Sequence, residues 1–400
     1  MISRTEHPTP SPDVVAAVLA EHPVVDGHND LLWAARELVG YDFDRLDVAA
    51  GTADRTHTDL PRLREGGVGG QFWSVYVPGD LAGDDAVAQT LEQVDAAHQM
   101  IARYDELTLA RTADDVTRAW EQGRIASLLG AEGGQSINSS LGTLRMLHVL
   151  GVRYLTLTHN SNVPWADSGT DAEVLGGLSP FGVEVVREMN RIGMLVDLSH
   201  TSAGTMRAAL DASEAPVLFS HSSARAVADH PRNVPDDVLA RLADNGGVCM
   251  VTFVPKFVSP VAAAWHVEAM ETAAAQGITN ADYAAVDAFM TRWSAEHPAP
   301  GARLEDVVAH CEHVREVAGI EHIGLGGDYD GVGSLPRGLE DVRGYPRLLQ
   351  ALADRGWSAD DLGRLTSGNV LRVLRAGEEV ARGLQQHRGP SLATRAELDG

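Results

Sequence analysis

The segment 180–200, PFGVEVVREMNRIGMLVDLSH, decides the fold. In its first part, Pro180–Ile192, apolar residues recur at three- and four-residue spacing, which predicts an amphipathic helix opened by a proline. Its second part, Met194–Ser199, is a short apolar run that predicts a buried strand, and His200 follows it directly. A helix followed at once by a buried strand is the repeating unit of parallel α/β proteins.

The same alternation runs along most of the chain and predicts eight strands. They are Val24–Asp30, Gly70–Val77, Ile125–Ala131, Tyr154–Thr158, Met194–Ser199, Val217–Ser220, Gly247–Phe253 and His322–Gly326. Helix-period segments such as Asp84–Tyr104, Leu141–Leu150 and Pro235–Asp244 lie between them. Eight strands with intervening helices predict an α/β protein with a single (β/α)8 TIM-type barrel, and an open doubly wound sheet is the alternative.

Two further regions extend this barrel. The stretch Val254–Arg303, between the seventh and eighth strands, is too long for an ordinary loop, and its alanine-rich parts Val261–Gln276 and Asp282–Glu296 predict helices over the barrel mouth. Extra helices are also predicted after the eighth strand. We expect a flexible N-terminal arm, a barrel domain and a polar tail, at residues 1–20, 21–385 and 386–400.

Composition and charge narrow the class of protein. The 400 residues are 44% hydrophobic and 22% charged, which suits a globular protein with a sizeable core. The net charge of −24 argues against nucleic-acid and membrane-surface partners. Two cysteines, Cys249 and Cys311, are too few for a disulfide scaffold or a cysteine zinc cluster. With no apolar leader or long apolar run, we expect a cytoplasmic protein.

Metal-binding side chains stand at the ends of four predicted strands, where barrel enzymes place their chemistry. They are His28 and Asp30 after the first strand, Glu132 after the third, His200 after the fifth and His221 after the sixth. Imidazole and carboxylate ligands suit borderline metals such as zinc, and five ligands exceed the needs of one open tetrahedral site. Two metals sharing Glu132 is the economical arrangement. Taken singly, each residue could instead be structural, with Asp30 capping a helix.

Seven motifs resemble, in order from Val24 to Gly331, those of the renal (membrane) dipeptidase family of zinc peptidases. They are VVDGHNDLLW, LLGAEGGQSI, YLTLTHNSNVPWADS, LVDLSHTS, FSHSSARAV, RNVPDDVL and IGLGGDYDGV. The segment SGNVLRVL, around Thr366–Leu374, is similar to the C-terminal motif of that family. The family belongs to the amidohydrolase-type metal barrels.

The resemblance implies a role for each residue of the site. Of two zinc ions per chain, the first is bound by His28 and Asp30, the second by His200 and His221, and Glu132 bridges them. A hydroxide held between the ions attacks the peptide bond.

Three further residues match substrate-contacting positions of the family. The resemblance implies that His159 touches the substrate carbonyl and that Arg232 holds the free carboxylate of the substrate. It also implies that Asp328 is the proton-transfer acid. These roles agree with the chemistry of oxyanion stabilisation, bidentate carboxylate binding and general acid–base catalysis. A solvated Arg232 or a His159 bonded within its own loop stays the alternative.

The only lysine, Lys256, separates this chain from related barrels. Many binuclear amidohydrolases bridge their metals with a carboxylated lysine from the fourth strand, whereas Lys256 follows the seventh. Its segment VTFVPKFVS also lacks a tyrosine found in some family members, which leaves the contacts to substrate side chains open. His310 and His313 have no evident acidic partner and are expected on the surface.

The sequence therefore predicts a zinc-dependent dipeptidase, a hydrolase acting on short dipeptides that carry a free C-terminal carboxylate. The resemblance implies that a D-residue is tolerated at the C-terminal position. The expected partner is the small-molecule dipeptide, without nucleic acid or membrane, and a homodimer is left open. The alternatives are another dizinc amide or lactone hydrolase acting on carboxylate-bearing small molecules, and a non-catalytic binding protein of barrel fold.

Overall fold

Nine parallel strands run through the computed structural model, which describes residues 12–81, 83–279 and 282–400. They are β1 Val24–Asn29, β2 Val68–Tyr76, β3 Leu107–Leu109, β4 Ile125–Glu132, β5 Val152–Thr156, β6 Leu195–Asp197, β7 Leu218–Phe219, β8 Val248–Val251 and β9 Ile323–Leu325. Eight of them close into a barrel in the order β1-β2-β4-β5-β6-β7-β8-β9, with β9 pairing back to β1. The predicted TIM-type barrel is confirmed.

The helices form the outer layer and the extensions of the barrel. They are α1 Pro12–Glu21, α2 Leu31–Val39, α3 Leu60–Glu65, α4 Gly83–Arg103, α5 Ala113–Glu121, α6 Leu141–Leu150, α7 Pro180–Ile192, α8 Ala203–Ala212, α9 Asp236–Asn245, α10 Pro255–Val258, α11 Pro260–Ala275, α12 Tyr283–Glu296, α13 Leu304–Ala318, α14 Tyr345–Ala353, α15 Ala359–Gly363, α16 Asn369–Gln385 and α17 Arg395–Leu398. Three short 3-10 helices and a π-helical turn join them, at Gly134–Ile137, Ile320–His322, Val342–Gly344 and Arg364–Gly368.

The eight predicted strands correspond to β1, β2 and β4–β9, and β3 is the one that the sequence did not predict. It pairs only with the beginning of β4, Leu107 lying opposite Ile125, and so lies outside the closed ring. In the sequence this segment follows Asp105 and Glu106 and precedes Arg111 instead of lying in a longer apolar run, which explains why β3 gives no strand signal.

The segment 180–200 folds as its pattern predicts. Ser179 caps α7 by accepting a hydrogen bond from the main-chain N–H of Gly182, and Gly193 ends the helix with a φ of 81°. Phe181 and Val185 of α7 are fully buried in the main hydrophobic core between helices and barrel. The apolar face of α7 therefore packs against the barrel.

The insertion between β8 and β9 contains α10, α11 and α12, in agreement with the helices predicted over the barrel mouth. The two chain ends differ from expectation. Residues 12–20 of the predicted flexible arm form most of α1 and bury Val15 and Val18; residues 1–11 lie outside the described residues. In the predicted polar tail, the Asp399 carboxylate accepts hydrogen bonds from the Ser179 hydroxyl and the Phe181 main-chain N–H, so the tail docks on α7. Among the described residues, no helix is long and apolar enough to cross a membrane.

Candidate functional site

The five predicted metal ligands meet at one rim of the barrel. His28 and Glu132 belong to the last residues of β1 and β4, and Asp30, His200 and His221 follow β1, β6 and β7. All five are buried. Parallel strands present their carboxyl ends on the same side of a barrel, so residues far apart in sequence converge there.

Glu132 lies at the centre of this cluster. Its Oε2 is 3.3 Å from Nε2 of His28, whereas its Oε1 is 3.1 Å from Nε2 of His200 and 3.4 Å from Nε2 of His221. The Ser74 hydroxyl donates a hydrogen bond to Oε2 and holds the carboxylate in this orientation. The two oxygens of one carboxylate thus face different histidines, Oε2 facing His28 and Oε1 facing His200 and His221.

Each side of Glu132 has the donor atoms of a metal site. On the Oε2 side, His28 Nε2 lies 3.2 Å from Asp30 Oδ2; on the Oε1 side, the Nε2 atoms of His200 and His221 lie 3.0 Å apart. His28 Nε2 and Asp30 Oδ1 are buried and have no hydrogen-bond partner among the described residues. Buried polar atoms without partners are costly, and a cation would satisfy them. Nitrogen and oxygen donors without sulfur fit borderline or hard metals.

Two hydroxyl groups fix the orientation of these histidines. The Tyr154 hydroxyl donates to the carbonyl of Gly27 and lies 2.9 Å from Nδ1 of His28, so it accepts the Nδ1 proton. The Ser220 hydroxyl donates to a carboxylate oxygen of Asp197 and lies 2.8 Å from Nδ1 of His221. Both contacts leave the Nε2 lone pair directed at the cluster, as metal-binding histidines require.

Tyr154, Ser220 and Asp197 are absent from the residues predicted from the sequence. Ser220 directly precedes His221 in the FSHSS motif, which is a signal for it. Tyr154 gives no such signal, since its ring crosses the barrel interior from another strand. Space for that ring depends on Gly130, where a Cβ atom would lie 1.9 Å from the Tyr154 ring.

Other residues of the site are also tightly packed or have a left-handed backbone conformation. A Cβ atom on Gly331 would lie 2.4 Å from both Asp30 Oδ2 and Asp328 Oδ1, so a larger residue there would displace both carboxylates. His200 and Asp328 have positive φ angles of 66° and 60°. Residues other than glycine adopt this conformation rarely, and such strain collects at functional sites.

The electrostatics of the cluster favour metal-ligand protonation states in three of its members. Burial raises the pKa of Glu132, but the positive charge of His28 and hydrogen bonds from histidines outweigh it and hold this pKa well below its usual value. Burial lowers the pKa values of His200 and His221 well below normal, with the Arg232 charge acting in the same direction. Neutral imidazoles and an ionised carboxylate are the forms that bind metals.

His28 differs from the other two histidines. Burial lowers its pKa, but Glu132, Tyr154 and Asp30 together raise it well above its usual value. The acidic groups around His28 therefore favour a positive charge in this half of the site, whether a proton or a metal ion supplies it.

A cavity of about 300 Å³ opens onto the cluster, and His159, Arg232 and Asp328 line it. His159 Nε2 lies 3.8 Å from Glu132 Oε1, and burial lowers the pKa of His159 to about 4. Arg232 is 2% exposed, and its guanidinium donates to the carbonyl of His221. The structure thus brings all three predicted substrate residues close to the predicted metal ligands.

Asp328 also lines this cavity and lies beside His28 and Asp30. Possible ligand atoms of these three residues lie within 4.8 Å of one another. Burial, with the charges of Asp30 and Glu132, raises the pKa of Asp328 well above its usual value, although His28 opposes the shift. A buried carboxyl group with a raised pKa is suited to carry a proton.

Three residues outside the predicted site set lie where the sequence did not indicate. Lys256 and Phe257 of α10 also line the cavity, although no role for them is apparent in the sequence. His310, expected on the surface, is fully buried: its Nδ1 accepts a hydrogen bond from the main-chain N–H of Ala224, and its Nε2 lies 3.0 Å from the carbonyl of Val258. His310 therefore has a structural role, tying α13 to the barrel rim.

Comparison with known proteins agrees with this geometry. The chain matches the membrane dipeptidase family, peptidase family M19, over residues 13–388. It belongs to that family. Membership in the membrane dipeptidase family assigns the chain to the metallo-dipeptidases, which are hydrolases, and implies a metal cofactor for which the His and Glu cluster offers ligands. The family resemblance of the sequence motifs is confirmed.

Two curated dipeptidases share 42% of their aligned residues with the chain. It is 42% identical over 369 residues to dipeptidase 3 of Rattus norvegicus, a match covering 91% of this chain and 67% of the rat protein. It is also 42% identical over 376 residues to dipeptidase verJ of Clonostachys rogersoniana, covering 91% of this chain and 86% of that protein. The chain thus spans about two thirds of the length of the rat relative.

Solved structures match the fold over nearly their whole length. A metallopeptidase from Rhodobacter sphaeroides, crystallised with a phosphinate mimic of the dipeptide L-Ala-D-Ala, is 25% identical with a TM-score of 0.73, covering 89% of this chain and 99% of that one. The probable dipeptidase PvdM from Pseudomonas aeruginosa is 22% identical with a TM-score of 0.78, covering 92% of this chain and 99% of that one, and shows the shared fold.

Proposed function

We propose that this protein is a dizinc dipeptidase that cleaves short dipeptides with a free C-terminal carboxylate, including those with a D-residue in second place. The observation that carries the proposal is the position of Glu132, one of whose carboxylate oxygens faces His28 while the other faces His200 and His221. A carboxylate shared in this way suits a pair of metal ions rather than one.

The residues divide between the two metal positions. His28 and Asp30 would hold one zinc ion, His200 and His221 the other, and Glu132 both. Zinc suits this set because it binds imidazole nitrogen and carboxylate oxygen well. When bound, two zinc ions would supply a nucleophilic water of lowered pKa and polarise the peptide carbonyl.

The remaining site residues act directly on the substrate. His159, neutral because of its lowered pKa, donates a hydrogen bond to the carbonyl oxygen as negative charge develops there. Asp328 takes a proton from the attacking water and delivers it to the leaving amine, for which its raised pKa is suited.

Arg232 selects substrates by their free carboxylate. Its guanidinium is buried and, among the described residues, donates only to the Ser222 hydroxyl and the His221 carbonyl, so an anionic group of the substrate would balance its charge. Tolerance of a D-residue follows because Arg232 fixes the carboxylate while the second side chain extends toward the α10–α12 insertion. The related Rhodobacter sphaeroides metallopeptidase, which binds a mimic of L-Ala-D-Ala, supports this part of the proposal.

The decisive experiment is a substrate panel combined with metal analysis. We expect about two zinc ions per chain and turnover of L,L- and L,D-dipeptides, lost on chelation and restored by zinc. Turnover of lactones or N-acyl amino acids without any dipeptide would show a different hydrolase on the same site. A chain with less than one zinc and no activity after zinc addition would instead be a binding protein.

Arg232→Met should lower kcat/KM for dipeptides by about tenfold to hundredfold, because a charge-assisted contact to the substrate carboxylate is lost. Dipeptide amides, which lack that carboxylate, should lose almost nothing, and steady-state kinetics on matched acid and amide pairs measures the difference. Arg207→Met, which removes an exposed arginine paired with Asp237, is the control. Equal losses on acid and amide would refute the assignment.

The cytoplasmic location and the absence of nucleic-acid and membrane partners stay predictions from the sequence, and a homodimer stays open.

A further inference from the structure

Lys256 brings a second positive charge to the substrate cavity. It lies in α10, directly after the barrel strand β8 and its short connection, and it lines the same cavity as Arg232. Both cations contact the ring of Phe257: the guanidinium carbon of Arg232 lies 5.0 Å from the ring centre and the Lys256 ammonium 5.4 Å. The two positive groups thus flank one aromatic side chain at the cavity wall.

Neither cation forms an ion pair in the described part of the chain, although the more distant charge of Asp328 raises the pKa of both. Within the described residues, no carboxylate oxygen lies within 4.0 Å of Lys256 Nζ or of the Arg232 guanidinium nitrogens, although other arginines of the chain form such pairs. A simple dipeptide brings a single carboxylate to this region, which one cation suffices to bind. A substrate with a neutral second side chain would therefore leave the second cation without a negative partner.

A chain of hydrogen bonds behind Lys256 offers it no acceptor. The main-chain N–H of Arg232 donates to Nδ1 of His230, so neutral His230 carries its proton on Nε2. This Nε2 lies 3.2 Å from Nδ1 of His266 and donates to it. His266 then carries its own proton on Nε2, 3.4 Å from Lys256 Nζ. Two donors meet at this last contact. The ammonium group of Lys256 thus needs an acceptor from another direction.

The electrostatic environment agrees with this geometry. Removal from water lowers the pKa of Lys256 to about 8, the Arg232 charge acts in the same direction, and Asp328 opposes it. An anion bound beside Lys256 would reverse this shift, because a nearby negative charge favours the protonated amine.

There is also room for a side chain at this point. A second cavity, of about 460 Å³, adjoins the first, and Lys256, Arg232 and Phe257 line both. Its walls include Met270 and Val267 of α11. A side chain leaving the second residue of a dipeptide bound by Arg232 can thus pass Lys256 on its way into this space.

We propose that Lys256 binds the side-chain carboxylate of an acidic second residue, so that the preferred substrates are dipeptides ending in aspartate or glutamate. This inference rests on the proposed dipeptidase function. Arg232 takes the α-carboxylate and Lys256 the side-chain carboxylate, which accounts for two cations that have no carboxylate partner among the described residues.

The wild-type enzyme provides the first test, with Ala-Asp and Ala-Asn compared in both configurations of the second residue. The two side chains have nearly the same shape and differ in charge. We expect kcat/KM to be about tenfold to hundredfold higher for Ala-Asp in the preferred configuration, the size of a charge-assisted contact. Hydrolysis of Ala-Asn as fast as Ala-Asp in both configurations would overturn the inference while leaving the dipeptidase function intact. Failure to hydrolyse any dipeptide would instead refute the function.

Lys256→Met provides the second test. It should bring the ratio of kcat/KM for Ala-Asp to that for Ala-Asn down to about one, and Lys256→Arg should restore most of the preference. Arg207→Met, which removes a positive charge away from the cavity, should keep the preference. A preference for Ala-Asp that survives Lys256→Met would overturn the assignment to Lys256. If this variant does not fold, the wild-type ratio of Ala-Asp to Ala-Asn decides alone.

Discussion

Asp328→Asn is expected to lower kcat by about two to four orders of magnitude, the contribution of a positioned general acid–base. Asparagine has nearly the shape of aspartate but cannot accept a proton from water and pass it to the leaving amine. The metal ligands proposed above are unchanged, so zinc content should stay near that of the wild type. Steady-state kinetics and metal analysis on the same preparation measure both quantities.

The pH profile separates this role from a structural one. In the wild type, kcat should fall as the pH falls through the raised pKa of Asp328, because a protonated carboxyl group cannot accept a proton from water. In Asp328→Asn the residual activity should lack this acidic limb. Asp237→Asn, an exposed acid paired with Arg207, is the matched control and should retain wild-type kinetics. A variant at Asp328 with wild-type kcat would exclude proton transfer by this residue.

Glu132→Gln is expected to remove zinc as well as activity. Glutamine preserves the size of the side chain and an oxygen or nitrogen near Ser74, but it lacks the charge that faces His28 on one side and His200 on the other. We expect fewer than two zinc ions per chain and a loss of kcat/KM of about a thousandfold or more, because bound metal supplies the nucleophile and several kcal/mol of charge stabilisation. Titration calorimetry with zinc and kinetics at saturating zinc measure the two effects.

Glu188→Gln is the matched control for a buried carboxylate. Glu188 is 1% exposed and accepts hydrogen bonds from Arg145 and Arg191, away from the metal cluster. This control should lower the free energy of unfolding, since two arginines lose their partner, and leave zinc content unchanged. A Glu132→Gln protein that keeps two zinc ions and wild-type activity would contradict the bridging role.

The sequence is informative about the fold because the barrel repeats one local pattern. Short apolar runs alternate with helix-period segments such as Pro180–Ile192, and each pair signals the same βα unit independently of the others. The short strand β3 and the docking of Asp399 on α7 escape this signal. Each depends on a few contacts between distant segments, and such contacts leave no periodic pattern in the sequence.

The metal ligands could be predicted for a related reason. His28, Glu132, His200 and His221 each follow an apolar run, and strands that run parallel in a barrel bring their ends to one rim. The supporting residues could not be predicted in this way. Tyr154 reaches His28 across the barrel interior, and only the absence of a side chain at Gly130 gives it space.

The sequence by itself determined the barrel and the identity of its candidate ligands. Both follow from features that can be read along the chain: the alternation of strands and helices, the residues at strand ends and the family motifs. The tertiary structure alone decided that the two oxygens of Glu132 face different histidines, and that Lys256 and Arg232 flank Phe257 without a carboxylate partner among the described residues. The physical reason is that orientation and charge balance depend on distances of a few ångströms between segments far apart in sequence, which no spacing along the chain encodes.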